Sequence, residues 1–157
     1  MIVEQRTCIY CDSDSSLIKE HVIPASFFGY RCTDTDKQWI VTACETCNIL
    51  AGSFTCFSIP EKAAYLVKRY KQKYRKLLAT SYWSEEELNE LDYTLRMSII
   101  GALEAKSILG IKIRNLELVS NYDLDYLRPH WVEMWMLEER KKKKKKRTRK
   151  NIFNSNN

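Results

Sequence analysis

The sequence predicts an α+β fold in which a small domain of short strands and paired cysteines precedes a helical region. Three observations support this expectation. The first 58 residues contain two Cys-x2-Cys pairs, apolar residues recur at helical spacing from Glu61 onward, and 157 residues with 45% apolar content are enough for one ordinary globular domain. We therefore expect a cysteine-bearing domain at 1–58, a helical region at 59–139 that packs on it, and a basic tail at 140–157.

The first domain is expected to contain two strands and one helix. Segments 17–23 and 39–42 are rich in residues that favour strands, and turn-forming polar residues lie next to both. A helix is expected to begin near Cys44. With few apolar residues for its length, this domain would form a weak core by itself, so a structural metal would supply much of its stability.

The two cysteine pairs predict a structural zinc site. Each Cys-x2-Cys turn places two sulfur atoms on one side, and two such turns complete a tetrahedral site for Zn²⁺. Four thiolates leave no position for water, so this ion would stabilise the fold without taking part in chemistry. The expected ligands are Cys8, Cys11, Cys44 and Cys47. We expect Cys32 and Cys56, which stand alone, to be small buried residues.

A basic amphipathic helix is expected at 61–79, directly after Pro60. Lys62, near its start, is expected to belong to the basic outer face, and tyrosines alternate with the cations of this face. Such a face can neutralise phosphates, which favours DNA as the partner. A solvated helix face with its tyrosines in the core is the alternative. The cations we expect to contact DNA are Lys68, Arg69, Lys71, Lys73, Arg75 and Lys76.

Further helices are expected beyond residue 80. Ser84 and Glu87 have the spacing of a capping box, and Gly110 is a typical residue to end the helix that begins there. Residues 111–118 are expected to be extended, and a last helix to begin near Pro129. The basic tail is expected to be disordered or to extend this last helix when bound, and it would add non-specific affinity for nucleic acid.

The sequence predicts a soluble, intracellular protein. No apolar run approaches the ~20 residues that cross a bilayer, and the N-terminus lacks a signal-peptide pattern. The expected location is the cytoplasm, or the nucleus if the host is eukaryotic, where the basic tail would serve as a localisation signal.

Glu20 and His21, followed by Val-Ile-Pro, lie between the two cysteine pairs, and Asn48 follows the second pair directly. Over about residues 8–52 this arrangement resembles the HNH endonucleases, which have a ββα-metal (His-Me finger) core within a treble-clef zinc framework. The resemblance implies that His21 is a general base and that Glu20 and Asn48 bind a catalytic Mg²⁺ or Mn²⁺. The implied activity is metal-dependent hydrolysis of DNA phosphodiester bonds. Small nucleases of this kind are common in bacteriophages.

These residues also suit such chemistry without the resemblance. A neutral imidazole can accept a proton from water near neutral pH, and carboxylate and amide oxygens are suitable ligands for a hard cation. Because Glu20 and His21 are adjacent, they would face opposite sides of a regular strand, so a distortion or a strand end would be needed for both to reach one centre. One active site per chain implies nicking, and a double-strand break would need a homodimer, a larger DNA-processing assembly or successive nicks.

Two other functions remain open from the sequence. Members of the family usually have a central Asn in the region where this sequence has Gln38 and Trp39. The absence of that Asn favours a catalytically inactive zinc-finger-like protein that binds DNA or assists assembly. An RNA-binding or RNA-cleaving module is the third reading, although no RNA-recognition motif is visible.

Overall fold

The computed structural model describes residues 2–3, 5–24, 27, 39–123 and 128–154. Within these ranges the chain forms three short strands followed by six helices. The α+β prediction is therefore confirmed at the level of class. The elements are β1 (Ile2–Val3), β2 (Leu17–His21), β3 (Ile40–Cys44), α1 (Glu45–Ala51), α2 (Ile59–Lys73), α3 (Arg75–Leu78), α4 (Glu85–Asn89), α5 (Tyr93–Asn121) and α6 (His130–Asn154).

The three strands form one small sheet with β3 in the centre. The order is β1-β3-β2, with β1 parallel to β3 and β2 antiparallel to it. In the antiparallel ladder, Leu17 lies opposite Cys44 and His21 lies opposite Ile40. The Val22 amide donates to the carbonyl of Trp39 at 2.9 Å, so the two chains stay paired just beyond the strand ends.

Helix α1 begins where β3 ends, as the sequence predicts. Cys44 is its N-cap, and the helix ends at Gly52, whose amide donates to the Asn48 carbonyl at 3.0 Å. Gly52 has φ +53°, ψ −132°, a conformation that residues with a Cβ rarely adopt. This sharp helix end directs the chain back towards α2.

Helix α2 is capped by Ser58, whose hydroxyl accepts from the Glu61 amide at 3.2 Å. Its inner face packs against α1 and α5. The buried residues of this face are Ile59, Lys62, Ala63, Leu66 and Tyr70. Burial of Lys62 corrects the expectation that it belongs to the basic outer face, because it lies one helical turn before Leu66 on the inner stripe.

The prediction of one helix from Ser84 to Gly110 is wrong: two helices occupy this region, and the second continues beyond Gly110. The capping box of Ser84 and Glu87 is present, but α4 ends at Asn89 and Asp92 caps a new helix that passes through Gly110. Residues 111–118 are consequently helical and not extended. A Gly inside a helix costs about 1 kcal/mol, whereas each fully buried Leu or Ile contributes about 1.5–3 kcal/mol. Burial against α2 therefore outweighs the stop signal, through Leu109, Ile113 and Leu116.

The last helix begins at His130, next to Pro129 as predicted, and continues through the basic run to Asn154. Of the two conformations that the sequence left open for the tail, the structure contains the helical extension. Among the described residues, no helix combines the length and the apolarity that crossing a membrane requires.

Replacing Gly110 with Ala tests the uninterrupted course of α5. A Cβ at this exposed position meets nothing within 4 Å, so Gly110→Ala should raise the free energy of unfolding by about 0.5–1 kcal/mol, measured by urea denaturation. Gly52→Ala is the matched comparison and should lower it by about 1–3 kcal/mol, because its φ is positive. Destabilisation by Gly110→Ala would contradict a continuous helix.

Candidate functional site

Four buried cysteines lie together at the junction of the first turn, β3 and α1. Their sulfur atoms are all within 4.8 Å of one another, and the Sγ atoms of Cys11 and Cys44 are 3.6 Å apart. Sulfur atoms around one Zn²⁺ at ~2.3 Å have separations in this range. Cys8, Cys11, Cys44 and Cys47 could therefore hold a metal ion such as zinc.

Local backbone geometry explains how each pair is formed. In the first pair, the Asp12 amide donates to the Cys8 carbonyl at 2.9 Å, and Asp12 has φ +60°, which closes a tight turn. In the second pair, the Cys47 amide donates to Cys44 Sγ at 3.5 Å across the first turn of α1. The strand-to-helix junction thus aims two thiols at the thiols of the first turn.

Hydrogen bonding within the cluster separates the acidities of the four thiols. Bonds from Cys11, then from Cys47 and Cys8, hold the pKa of Cys44 far below its usual range. The bond with Cys11 lowers the pKa of Cys8 to about 7. The bond with Cys44 raises the pKa of Cys11, and the bond with Cys11 raises that of Cys47. Cys44 is therefore the thiol of this cluster that loses its proton most readily, and metal binding would release the protons that the other thiols still hold.

Cys56 lies outside this cluster. Cys56 is fully buried, and its thiol donates to the Val22 carbonyl at 3.3 Å. Burial raises the pKa of Cys56 to about 12, so this residue is an inert packing group, as the sequence predicts. Cys32 and Gln38, the position linked to the missing central Asn, lie outside the described residues, whereas Trp39 is buried in the core.

An open pocket of about 300 Å³ lies beside the cluster. It is lined by Lys19, Glu20, His21, Pro24, Asn48, Gly52 and Ser53. The structure thus brings together Glu20, His21 and Asn48, which come from the end of β2 and the first turns of α1. His21 and Asn48 are both partly exposed. Among the described residues, no group forms a hydrogen bond with the imidazole of His21.

Glu20 is buried at the edge of this pocket. Its side chain is only 4% exposed, and both carboxylate oxygens accept hydrogen bonds. Tyr10, inside the first cysteine turn, donates to Oε2 at 2.8 Å, and Lys62 of α2 donates to Oε1. Burial, followed by the charge of Glu20, raises the pKa of Tyr10 well above its usual value, so the phenol keeps its proton.

Of the two arrangements expected at Glu20 and His21, a distortion or a strand end, the structure contains the strand end: β2 ends at His21, and the ladder shows no distortion up to that residue. Glu20 pairs with Val41 and His21 with Ile40 in regular antiparallel register. Glu20 therefore turns inward, and His21 lies on the other, more exposed face. The two residues border the same pocket with different surroundings.

The six cations expected to contact DNA are all exposed on α2 and α3. Lys71 forms a salt bridge with Glu117 of α5 at 2.7 Å. Tyr70 packs beneath this surface, since its hydroxyl lies 3.4 Å from Cys47 Sγ, and Tyr65, near the start of α2, stacks on Phe54 at 3.8 Å. Tyr70 is therefore not free for stacking on bases.

Sequence reasoning missed three residues that surround the site. The Tyr10 hydroxyl contacts Glu20, the Tyr70 hydroxyl contacts Cys47, and the Lys62 ammonium contacts the His21 carbonyl. Lys62 had a detectable signal, because it shares a helical stripe with Leu66 and Tyr70 at a spacing of four residues. The two tyrosines had no such sequence signal. Their hydrogen-bond partners are distant in sequence, so the sequence does not reveal their roles.

Comparison with known proteins identifies no relative of this chain: no family model, curated protein or solved structure matches it.

The cluster predicts one bound zinc ion per chain. Cys47→Ser should lose that ion and lower the melting temperature, because a structural site contributes folding free energy directly. Metal content by mass spectrometry and thermal unfolding measure the two effects. Cys56→Ala is the matched control and should keep full metal content, as Cys56 lies outside the cluster. Equal metal content in both variants would exclude this cluster as the binding site.

Proposed function

We propose that the chain is a metal-dependent DNA endonuclease of the HNH type that nicks one strand by hydrolysing phosphodiester bonds. The observation that carries this proposal is the meeting of Glu20, His21 and Asn48 at one open pocket beside four clustered cysteines. These three residues are the ones that the sequence resemblance selects. They are separated by up to 28 positions in the chain, so their meeting depends on the fold.

In this proposal His21 is the general base. A neutral imidazole accepts a proton from the attacking water, and partial exposure gives the ring access to solvent and substrate. The pocket is open enough to admit a phosphodiester next to the ring. A Mg²⁺ or Mn²⁺ ion, when bound, would supply positive charge to stabilise the phosphate and the leaving oxygen.

The oxygen ligands of this pocket suit such a hard cation, although Glu20 also has other partners. The amide oxygen of Asn48 and the carboxylate of Glu20 are oxygen ligands of the right kind. Both Glu20 oxygens already accept hydrogen bonds, so coordination would use their remaining lone pairs, close to the ammonium of Lys62. We therefore assign the more accessible part of the cation site to Asn48.

DNA is proposed to lie along the exposed cations of α2 and α3, with added non-specific affinity from the basic end of α6. Six exposed cations in this short segment can neutralise phosphates and release counterions. The four-cysteine cluster, loaded with Zn²⁺, would keep α1 and β2 in place under the pocket. A single candidate active site among the described residues accounts for nicking as the expected product.

A second candidate is a zinc-stabilised DNA-binding or assembly protein without catalysis. The specific observation in its favour is the enclosure of Glu20, because a carboxylate held by Tyr10 and Lys62 is a poor ligand for a further cation. The two candidates share the zinc cluster and the basic surface. They differ in cleavage alone.

Conversion of supercoiled plasmid to the nicked form tests the proposal. We expect nicking by zinc-loaded protein with Mg²⁺ or Mn²⁺, none with EDTA, and a loss of at least about 100-fold in His21→Ala, since general-base catalysis contributes about 10²–10⁴-fold. His130→Ala is the matched control, because this second histidine is exposed at the start of α6. Equal nicking by His21→Ala and wild type would indicate a contaminant.

The proposed DNA surface predicts opposite effects of two substitutions. Lys68→Gln should flatten the dependence of log K on log salt by about 0.9, the contribution of one phosphate contact. Glu117→Gln should strengthen binding, because it frees Lys71 from its salt bridge. Fluorescence anisotropy over a salt series measures both. If neither substitution changes the slope or the affinity, DNA does not bind along this helix.

A further inference from the structure

Lys62 is a fully buried cation on the inner face of α2. Its relative exposure is 0%, and its neighbours on this face are apolar or aromatic. A lysine is almost never fully buried unless it is paired, since removing its charge from water is costly. An apolar side chain would fill the same stripe without the cost of removing a charge from water. A lysine at this position therefore indicates that its ammonium group has a specific role.

The ammonium joins two consecutive residues at the end of β2. It donates to Oε1 of Glu20 and, at 2.8 Å, to the backbone carbonyl of His21. Tyr10 holds the other oxygen of Glu20. The end of β2 is thus attached to α2 through Lys62 and to the first cysteine turn through Tyr10.

A buried ion pair adds little net stability, but it strongly restricts geometry. Desolvation of both charges offsets much of their attraction, so the pair contributes less to stability than its closeness implies. Its hydrogen bonds nevertheless have narrow limits of distance and angle. The contact to the His21 carbonyl acts directly on the residue whose imidazole borders the pocket.

We propose that Lys62 is a positioning residue that sets the place of His21 by holding its carbonyl and the adjacent Glu20 carboxylate against α2. This inference deepens the proposed function and rests on it as far as catalysis is concerned. Lys62 does not touch substrate, because it is fully buried. It acts through the backbone of β2, where a misplacement of ~1 Å can reduce a rate by about 100-fold.

The kinetic test compares Lys62→Met with Lys112→Met. Lys112 is a partly exposed lysine of α5 outside the pocket, so it undergoes the same chemical change without the contact to His21. Lys62→Met should reduce kcat for nicking by about 10–100-fold with KM within about twofold, whereas Lys112→Met should keep both. A wild-type kcat in folded Lys62→Met overturns the inference.

A spectroscopic readout makes the test independent of cleavage. The chain has only two histidines, so the ¹³Cε1–¹H spectrum contains two imidazole signals, and His130→Gln assigns them. Lys62→Met should displace or broaden the His21 signal and leave the His130 signal unchanged. An unchanged His21 signal in folded Lys62→Met overturns positioning.

A second variant covers the case in which Lys62→Met leaves Glu20 as an unpaired buried charge and fails to fold. Glu20→Gln with Lys62→Met removes both charges, and Glu20→Gln alone is its reference. The His21 signal should differ between the two, because only the double variant lacks the donor to the His21 carbonyl. Coincident signals overturn the inference. If the wild-type protein shows no nicking with either Mg²⁺ or Mn²⁺, the proposed function fails. The His21 signals alone then decide whether Lys62 is a positioning residue.

Discussion

The contact of four thiols, all within 4.8 Å of one another, is the one on which the described part of the first domain depends. The thiols join the turn at Cys8 and Cys11 to the junction of β3 and α1, 33 residues further on. Two other elements attach to the same point, since the Tyr70 hydroxyl of α2 lies 3.4 Å from Cys47 Sγ and the Asn115 side-chain amide of α5 donates from Nδ2 to the Cys11 carbonyl at 3.2 Å. A metal ion at this point would therefore stabilise strands and helices together.

A second buried contact depends on the first. Glu20 accepts a hydrogen bond from Tyr10, which lies between the two cysteines of the first turn, and forms an ion pair with Lys62 of α2. Movement of the cysteine turn would thus be transmitted to the strand that carries His21. Because both carboxylate oxygens are occupied, Glu20 contributes to order around the pocket whether or not it also binds a cation. The four-cysteine cluster and the pocket are consequently coupled parts of one core.

Features set by a few neighbouring residues could be predicted from the sequence. The cysteine spacing, the N-cap at Cys44 and the capping box at Ser84 each depend on contacts within about four residues. The course of α5 could not, because Gly110 is a local stop signal and the burial that overrides it comes from α2, far away in sequence. The basic tail could be predicted only in part, because its charge is compatible with both disorder and a helix.

The candidate site divides in the same way. Glu20, His21 and Asn48 were selectable from their motif, but the inward turn of Glu20 follows from strand alternation combined with partners on two other elements. Lys62 was assigned to the outer face because its charge was given more weight than its helical phase. A lysine in phase with buried residues is uncommon, so charge alone is usually the better guide, and it fails where a buried carboxylate is the partner.

Helix α2 therefore has two distinct faces with related consequences. Its inner face contacts the cysteine cluster through Tyr70 and the strand of the pocket through Lys62, whereas exposed cations such as Lys68 and Arg69 occupy its outer face. A polyanion bound to the outer face would be held by the same rigid element that positions His21. On the proposed function, this shared helix fixes the distance between the bound backbone and the general base, so phosphate binding and catalysis would be aligned without a hinge between them. The same arrangement would give a non-catalytic DNA-binding protein a rigid, zinc-supported platform, which is why cleavage, and not binding or stability, distinguishes the two functions.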